Sequence, residues 1–200
     1  MSSSEAFRRR LGAALGVAAP VFAFACILGA VASDPSFSWT NNALSDLGVV
    51  HGVAGTLFNF GLYTSGLLAL GFSVFGLFTY LKGGLVGKVG AGFFTAAALA
   101  LVGIGFFNES FHGTHFAFSV AFFVTAPISL FIITCAFALS KRWRMAAFTV
   151  AVGLAAGLPW IVLFAYRYVH GVAVPETISA LAVSAWAITL SYLMIRKAKN

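Results

Sequence analysis

The chain has 200 residues, of which 60% are hydrophobic and only 8% charged, and its mean hydropathy is +0.98. Soluble domains carry about 25% charged residues, so this composition excludes a separate water-soluble domain, and residues 1–200 read as one domain. The net charge of +7 does not point to nucleic acid, because the basic residues sit in short clusters between apolar runs rather than on one groove-facing patch.

A spanning helix needs roughly 20 mostly apolar residues, and six segments qualify. The first runs from about Leu11 to Val31. Arg8-Arg9-Arg10 before it and Ala30-Val31-Ala32 after it resemble a cleavable signal, but the apolar stretch is longer than a signal core, so it counts as a span. The link that follows contains Trp39-Thr40-Asn41-Asn42-Ala43-Leu44-Ser45-Asp46-Leu47-Gly48. Its spacing suits a short interfacial helix, with Thr40 or Asn41 capping the start and Gly48 the end.

The second span runs from about Val53 to Tyr80 and carries Asn59 inside an apolar run; such a residue should face other helices and hydrogen-bond there. The third runs from about Val86 to Phe107 and ends in Gly103-Ile104-Gly105. The link Asn108 to His115 leads into the fourth span, about His115 to Leu139. In a helical conformation it places Glu109 with His112, and His112 with His115, on one face. The fifth span covers about Met145 to Tyr166 and the sixth about Ile178 to Ile195. Between them lie Arg167, His170 and Val174-Pro175-Glu176-Thr177, where Thr177 or the Pro-Glu pair signals a helix start.

The fold class is therefore all-α, a bundle of six transmembrane helices. Pro127 and Pro159 are expected to kink the fourth and fifth spans. Gly12/Gly16, Gly83/Gly87 and Gly153/Gly157 are small pairs at the spacing that lets helices approach closely in lipid. No internal repeat is visible. Cys26 and Cys135 fall in apolar runs, as small buried hydrophobes rather than a disulfide or a metal pair.

Orientation follows from the basic residues. Of the 12 Lys and Arg, all but Arg167 lie at the two termini or in the second and fourth links, among them Lys82, Lys88, Lys141, Arg142, Arg144, Arg196, Lys197 and Lys199. The positive-inside rule then puts both termini in the cytoplasm, with a plasma membrane as the simplest location. Asp34, Asp46, Glu109, Glu176 and all four His residues (His51, His112, His115, His170) fall on or near the other side.

The motifs Ser45-Asp46-Leu47-Gly48, Phe58-Asn59-Phe60-Gly61-Leu62, the glycine-rich end of the third span with Glu109 and His112 after it, Pro159-Trp160 and Gly171-x-x-x-Pro175-Glu176 occur in an order and spacing that resembles DUF998. This is an uncharacterised multi-pass membrane family of archaea and bacteria. The resemblance covers about Asn41 to Trp186 and implies six helices, with no activity attached. The chain departs from the pattern at Phe107-Asn108, where proline is expected.

The polar residues define an outward-facing cup. It is expected to bind a lipid headgroup or a small polar ligand through Asp46, Asn59, Glu109, Arg167 and Glu176, with Arg167 contacting an anionic group. Membrane lipids are thus the expected partners. A second expectation is a metal-dependent membrane hydrolase in which His112, His115 and His170 hold zinc and Asp46 or Glu109 is the catalytic general base. That arrangement loosely resembles the membrane hydrolases that include alkaline ceramidases, but their His-x-x-x-His pair in a late span is missing. A third is a non-catalytic scaffold, in which the His residues cap helix ends, Asp46 caps a helix or pairs with Arg167, and Trp39, Trp160, Tyr166 and Tyr168 form an interfacial aromatic belt. No Gly-x-Ser-x-Gly elbow or nucleotide-binding glycine motif is present, and no charge lies mid-span to mark an ion path.

Overall fold

The structure is a computed structural model that describes residues 3–81 and 84–197. Lys82, Gly83 and Lys199, which carry part of the basic count and one small pair, lie outside the described residues. Six helices are long and apolar enough to cross a membrane. They are α1 (Ser3–Ala32), α3 (Gly84–Phe106), α4 (His112–Leu139), α5 (Trp143–Tyr166), α6 (Ala173–Lys197) and, between α1 and α3, α2 (Val53–Tyr80). Most boundaries lie within a few residues of those the apolar runs predict. The larger differences are at α1 and α6, which begin earlier because each helix starts several residues before the expected apolar run.

Each helix packs chiefly on its chain neighbours, and α1 also packs on α6. The helices therefore form a closed ring in chain order. Glycines set the tightest approaches. A methyl group added at Gly12 would lie 2.4 Å from the Gly76 nitrogen, and one at Gly105 would lie 2.3 Å from the Tyr63 nitrogen. Such backbone-to-backbone contact is open only to residues without a side chain. Gly153 sits against Leu130 and Phe131 of α4, so this small pair also serves helix packing.

The sequence gives no warning of a π-turn at Phe72–Leu77 within α2. Its wider coil presents Phe72 and Gly76 to α1 at Gly16 and Gly12. Pro20, Pro127 and Pro159 are all accommodated inside continuous helices. Cys26 is buried, whereas Cys135 is exposed, a departure from the expected two buried thiols. In lipid the outward helix face is itself apolar, so composition does not separate it from the core.

The two ends of the bundle differ. At one end the Arg142 guanidinium donates to the Tyr80 hydroxyl and lies over the Tyr80 and Phe137 rings, each 4.7 Å away. Arg9 also lies over Tyr80 and pairs with Glu5 at 3.6 Å. At the other end the first and last links of the acidic side are joined by backbone hydrogen bonds. Thr40 O accepts from the His170 and Gly171 amides, and Asn42 O from the Val172 and Ala173 amides.

The interior divides into two packed clusters. One, around Phe72, Phe94, Phe137 and Trp186, lies toward the basic end. The other, around Ile27, Leu44, Leu47, Phe58 and Ile104, lies toward the acidic end.

Candidate functional site

The site is built on two short 3-10 turns and the start of α6. The first turn, Leu44–Val49, stands where an interfacial helix is expected, but it is shorter and differently capped. Asp46 reaches back so that its Oδ2 accepts from the Ala43 amide at 3.0 Å and from Asn42 Nδ2 at 2.7 Å. These bonds satisfy donors at the turn's start that no helix ladder reaches. The same turn buries Leu44 and Leu47, which anchors it to the bundle.

Asn59 behaves as its place in an apolar run predicts. Its Nδ2 donates to Gly48 O at 2.8 Å and ties α2 to the turn. Its Oδ1 is buried without a hydrogen-bond partner.

Glu176 lies in the first turn of α6, where the sequence suggests only a helix-start signal. It is 7% exposed, and its Oε2 accepts from the Leu44 amide at 2.6 Å. A buried carboxyl is tolerated only when hydrogen-bonded, and this bond also fastens the turn to α6. Glu176→Ala should therefore cost about 2 kcal/mol of stability by leaving the Leu44 N–H buried and unpaired. Glu176→Gln keeps an acceptor and should cost much less. Thermal unfolding of the two variants in one detergent checks this difference.

The second turn, Glu109–Phe111, packs on the first turn and brings Glu109 near Asp46, with His112 and His115 close by. Asp46 and Glu109 are also the near neighbours of Glu176. Three acidic side chains from three segments thus converge.

His115 is 5% exposed, and its Nδ1 lies 2.7 Å from Phe107 O. A carbonyl only accepts, so Nδ1 carries the hydrogen and Nε2 is left buried without a partner. His112 is exposed at φ 23°, between the turn and α4. His170 is exposed on the far link, held by its backbone to Thr40. The three imidazoles do not assemble into the expected zinc centre: among the described residues no group of three or more His, Cys, Asp or Glu could hold a metal ion.

Arg167 is not in the cluster either. It is exposed, takes a left-handed conformation at the end of α5, and donates its backbone N–H to Leu163 O. Among the described residues it forms no ion pair with Asp46, Glu109 or Glu176. Trp160, expected in an interfacial belt, instead donates to Ser179 Oγ at 3.0 Å and packs on Phe123, so it joins α5 to α6 and α4. Tyr166 stays 80% exposed, as a belt residue would.

Beneath the acidic cluster lies a cavity of about 120 Å³, lined by α1, α2, α3, α4 and α6 and by Leu44 and Ser45 of the first turn. It separates the two packed clusters, with Phe58 and Ile104 above and Phe72 and Phe94 below. Its wall is almost wholly apolar and includes many small residues, such as Gly16, Ala19, Ala23, Ala97 and Ala98. Glu176 forms part of the wall at the acidic end, and Ser65, 1% exposed with an unpartnered hydroxyl, forms part of it deeper in. No pattern in the sequence marks this cavity. The nearest signal is Ser65, a polar residue inside an apolar run.

Fold and site together define a multi-pass helical membrane protein with a polar end built over an apolar chamber. The family model described as "Protein of unknown function (DUF998)" matches residues 17–193, and the chain belongs to this family. Comparisons with curated proteins and with solved structures found no match.

Proposed function

We propose that the protein binds a lipid-like amphiphile, with the polar end at Asp46, Glu109 and Glu176 and the apolar end in the chamber below. The observation that carries this is Glu176, a buried carboxyl that belongs to the acidic cluster and to the chamber wall at once. Ligand sites are typically apolar with a few placed polar groups. An engineered apolar cavity of about 150 Å³ takes up benzene, so the chamber has room for part of a hydrocarbon chain. The basic residues support both termini lying in the cytoplasm of a plasma membrane, with the acidic end facing outward.

Ser65→Val tests this by moving two measurements in opposite directions. It removes an unpartnered buried hydroxyl and fills part of the chamber, so the delipidated protein should gain about 1 kcal/mol of stability. The same change takes ligand volume, so lipid retained through purification, read by mass spectrometry, should fall. If the wild type retains no lipid and Ser65→Val changes only stability, the binding function is overturned and the polar end serves as scaffold.

A further inference from the structure

We propose that the amphiphile carries a cationic, ammonium-type headgroup, seated against Glu176 at the acidic end of the chamber. This rests on the proposed amphiphile site and adds the chemistry of its polar end.

The cluster is rich in acceptors and short of free donors. The Ala43 amide and Asn42 Nδ2 are both taken by Asp46. The Leu44 amide is taken by Glu176. A phosphate or carboxylate headgroup entering here would meet three acidic side chains and would find these donors occupied. Such a site disfavours anions, whose oxygens would meet acceptors where they need donors.

Among the described residues no Lys or Arg forms an ion pair with Asp46, Glu109 or Glu176. The imidazoles of His112 and His115 lie near Glu109, and the acidic side chains near Glu176 are Asp46 and Glu109. Glu176 receives one protein hydrogen bond, at Oε2. The remaining Glu176 oxygen is best completed by a ligand that donates hydrogen bonds, and a cationic donor also balances the acidic side chains beside it. A metal ion does not fit, because no ligand group of suitable geometry exists among the described residues.

A second observation points to a ligand independently of the acids. Ser65 Oγ is buried, has no partner and stands in the chamber wall. An unpaired hydroxyl on the wall of an apolar chamber marks a space shaped for an occupant rather than a packed core. The headgroup at Glu176 and the chain reaching past Ser65 form one continuous site.

The test uses the full-length protein in phosphatidylcholine nanodiscs at neutral pH, with dodecylamine, dodecanol and dodecanoate as probes of equal chain length. Binding is read by displacement of retained lipid and by thermal shift. Dodecylamine should bind about tenfold more tightly than dodecanol, and dodecanoate most weakly. Glu176→Gln should bring dodecylamine down to the level of dodecanol, and should change dodecanol binding far less than it changes amine binding. Ser65→Val should weaken all three probes.

Equal binding of amine and alcohol to the wild type would overturn the headgroup assignment and leave the amphiphile site standing. A preference for the amine that survives in Glu176→Gln would overturn it too, as adsorption elsewhere. If none of the probes binds and no lipid is retained, the amphiphile site itself fails.

Discussion

Gly12→Ala is expected to destabilise the protein by about 3 kcal/mol, at the upper end of what overpacking costs. The added methyl would lie 2.4 Å from the Gly76 nitrogen and 2.5 Å from its Cα. These are backbone atoms of the π-turn, so no side chain can rotate away to relieve the contact. α1 would have to move off α2, and Gly16 is held against Phe72 and Ser191 one turn further on. Gly92→Ala is the matched control, because a methyl there meets nothing within 4 Å. It should stabilise by about 1 kcal/mol through helix propensity alone. Thermal unfolding of both variants in one detergent gives the two signs directly. Equal effects would mean that α1 and the π-turn do not meet as described.

Trp186→Ala should be costlier, at about 4 kcal/mol. Trp186 is fully buried on α6 and packs edge-on against Phe72 and at a tilt against Phe94. It also donates to Thr149 Oγ1 at 3.1 Å. One side chain thereby joins α6 to α2, α3 and α5. Its loss also enlarges the chamber, because Phe72 and Phe94 both line that space. The void should admit an aromatic solute, and indole should restore part of the lost stability in a concentration-dependent way. The wild type should show no comparable gain. Destabilisation without rescue by indole would separate Trp186 from the chamber.

The spans were legible because their lengths and apolar character leave no other solution for a chain of this composition. Asn59 was legible for a related reason, since an amide in an apolar run must find a partner. The convergence of Asp46, Glu109 and Glu176 was only half legible. Their placement at one end follows from span counting, but the burial of Glu176 does not, because Pro-Glu at a helix start reads equally well as an exposed cap. Arg167 looked like the natural partner for these acids on charge alone. The left-handed end of α5 carries it outside the cluster, and that is a matter of backbone path. The zinc expectation failed in the same way, since His170 belongs to a link whose backbone is tied to Thr40. The chamber could not be read at all. It arises where small residues from several helices meet, and the volume they leave open depends on the ring closing as it does. The π-turn is similarly silent, as Phe72–Leu77 reads as ordinary apolar helix.

That closure has a consequence for biosynthesis. Chains are made and begin to fold from the N-terminus, and the links that close the ring are 130 residues or so apart in order of appearance. Until Val172 and Ala173 meet Asn42, the wall supplied by Ala180, Val183, Ser184 and Ala187 is missing and Glu176 has not arrived. The chamber therefore comes into being with the insertion of α6. An occupant that binds only the closed ring would hold newly made chains in their finished state, so supply of the amphiphile would bear on how much of the protein survives as well as on what it does.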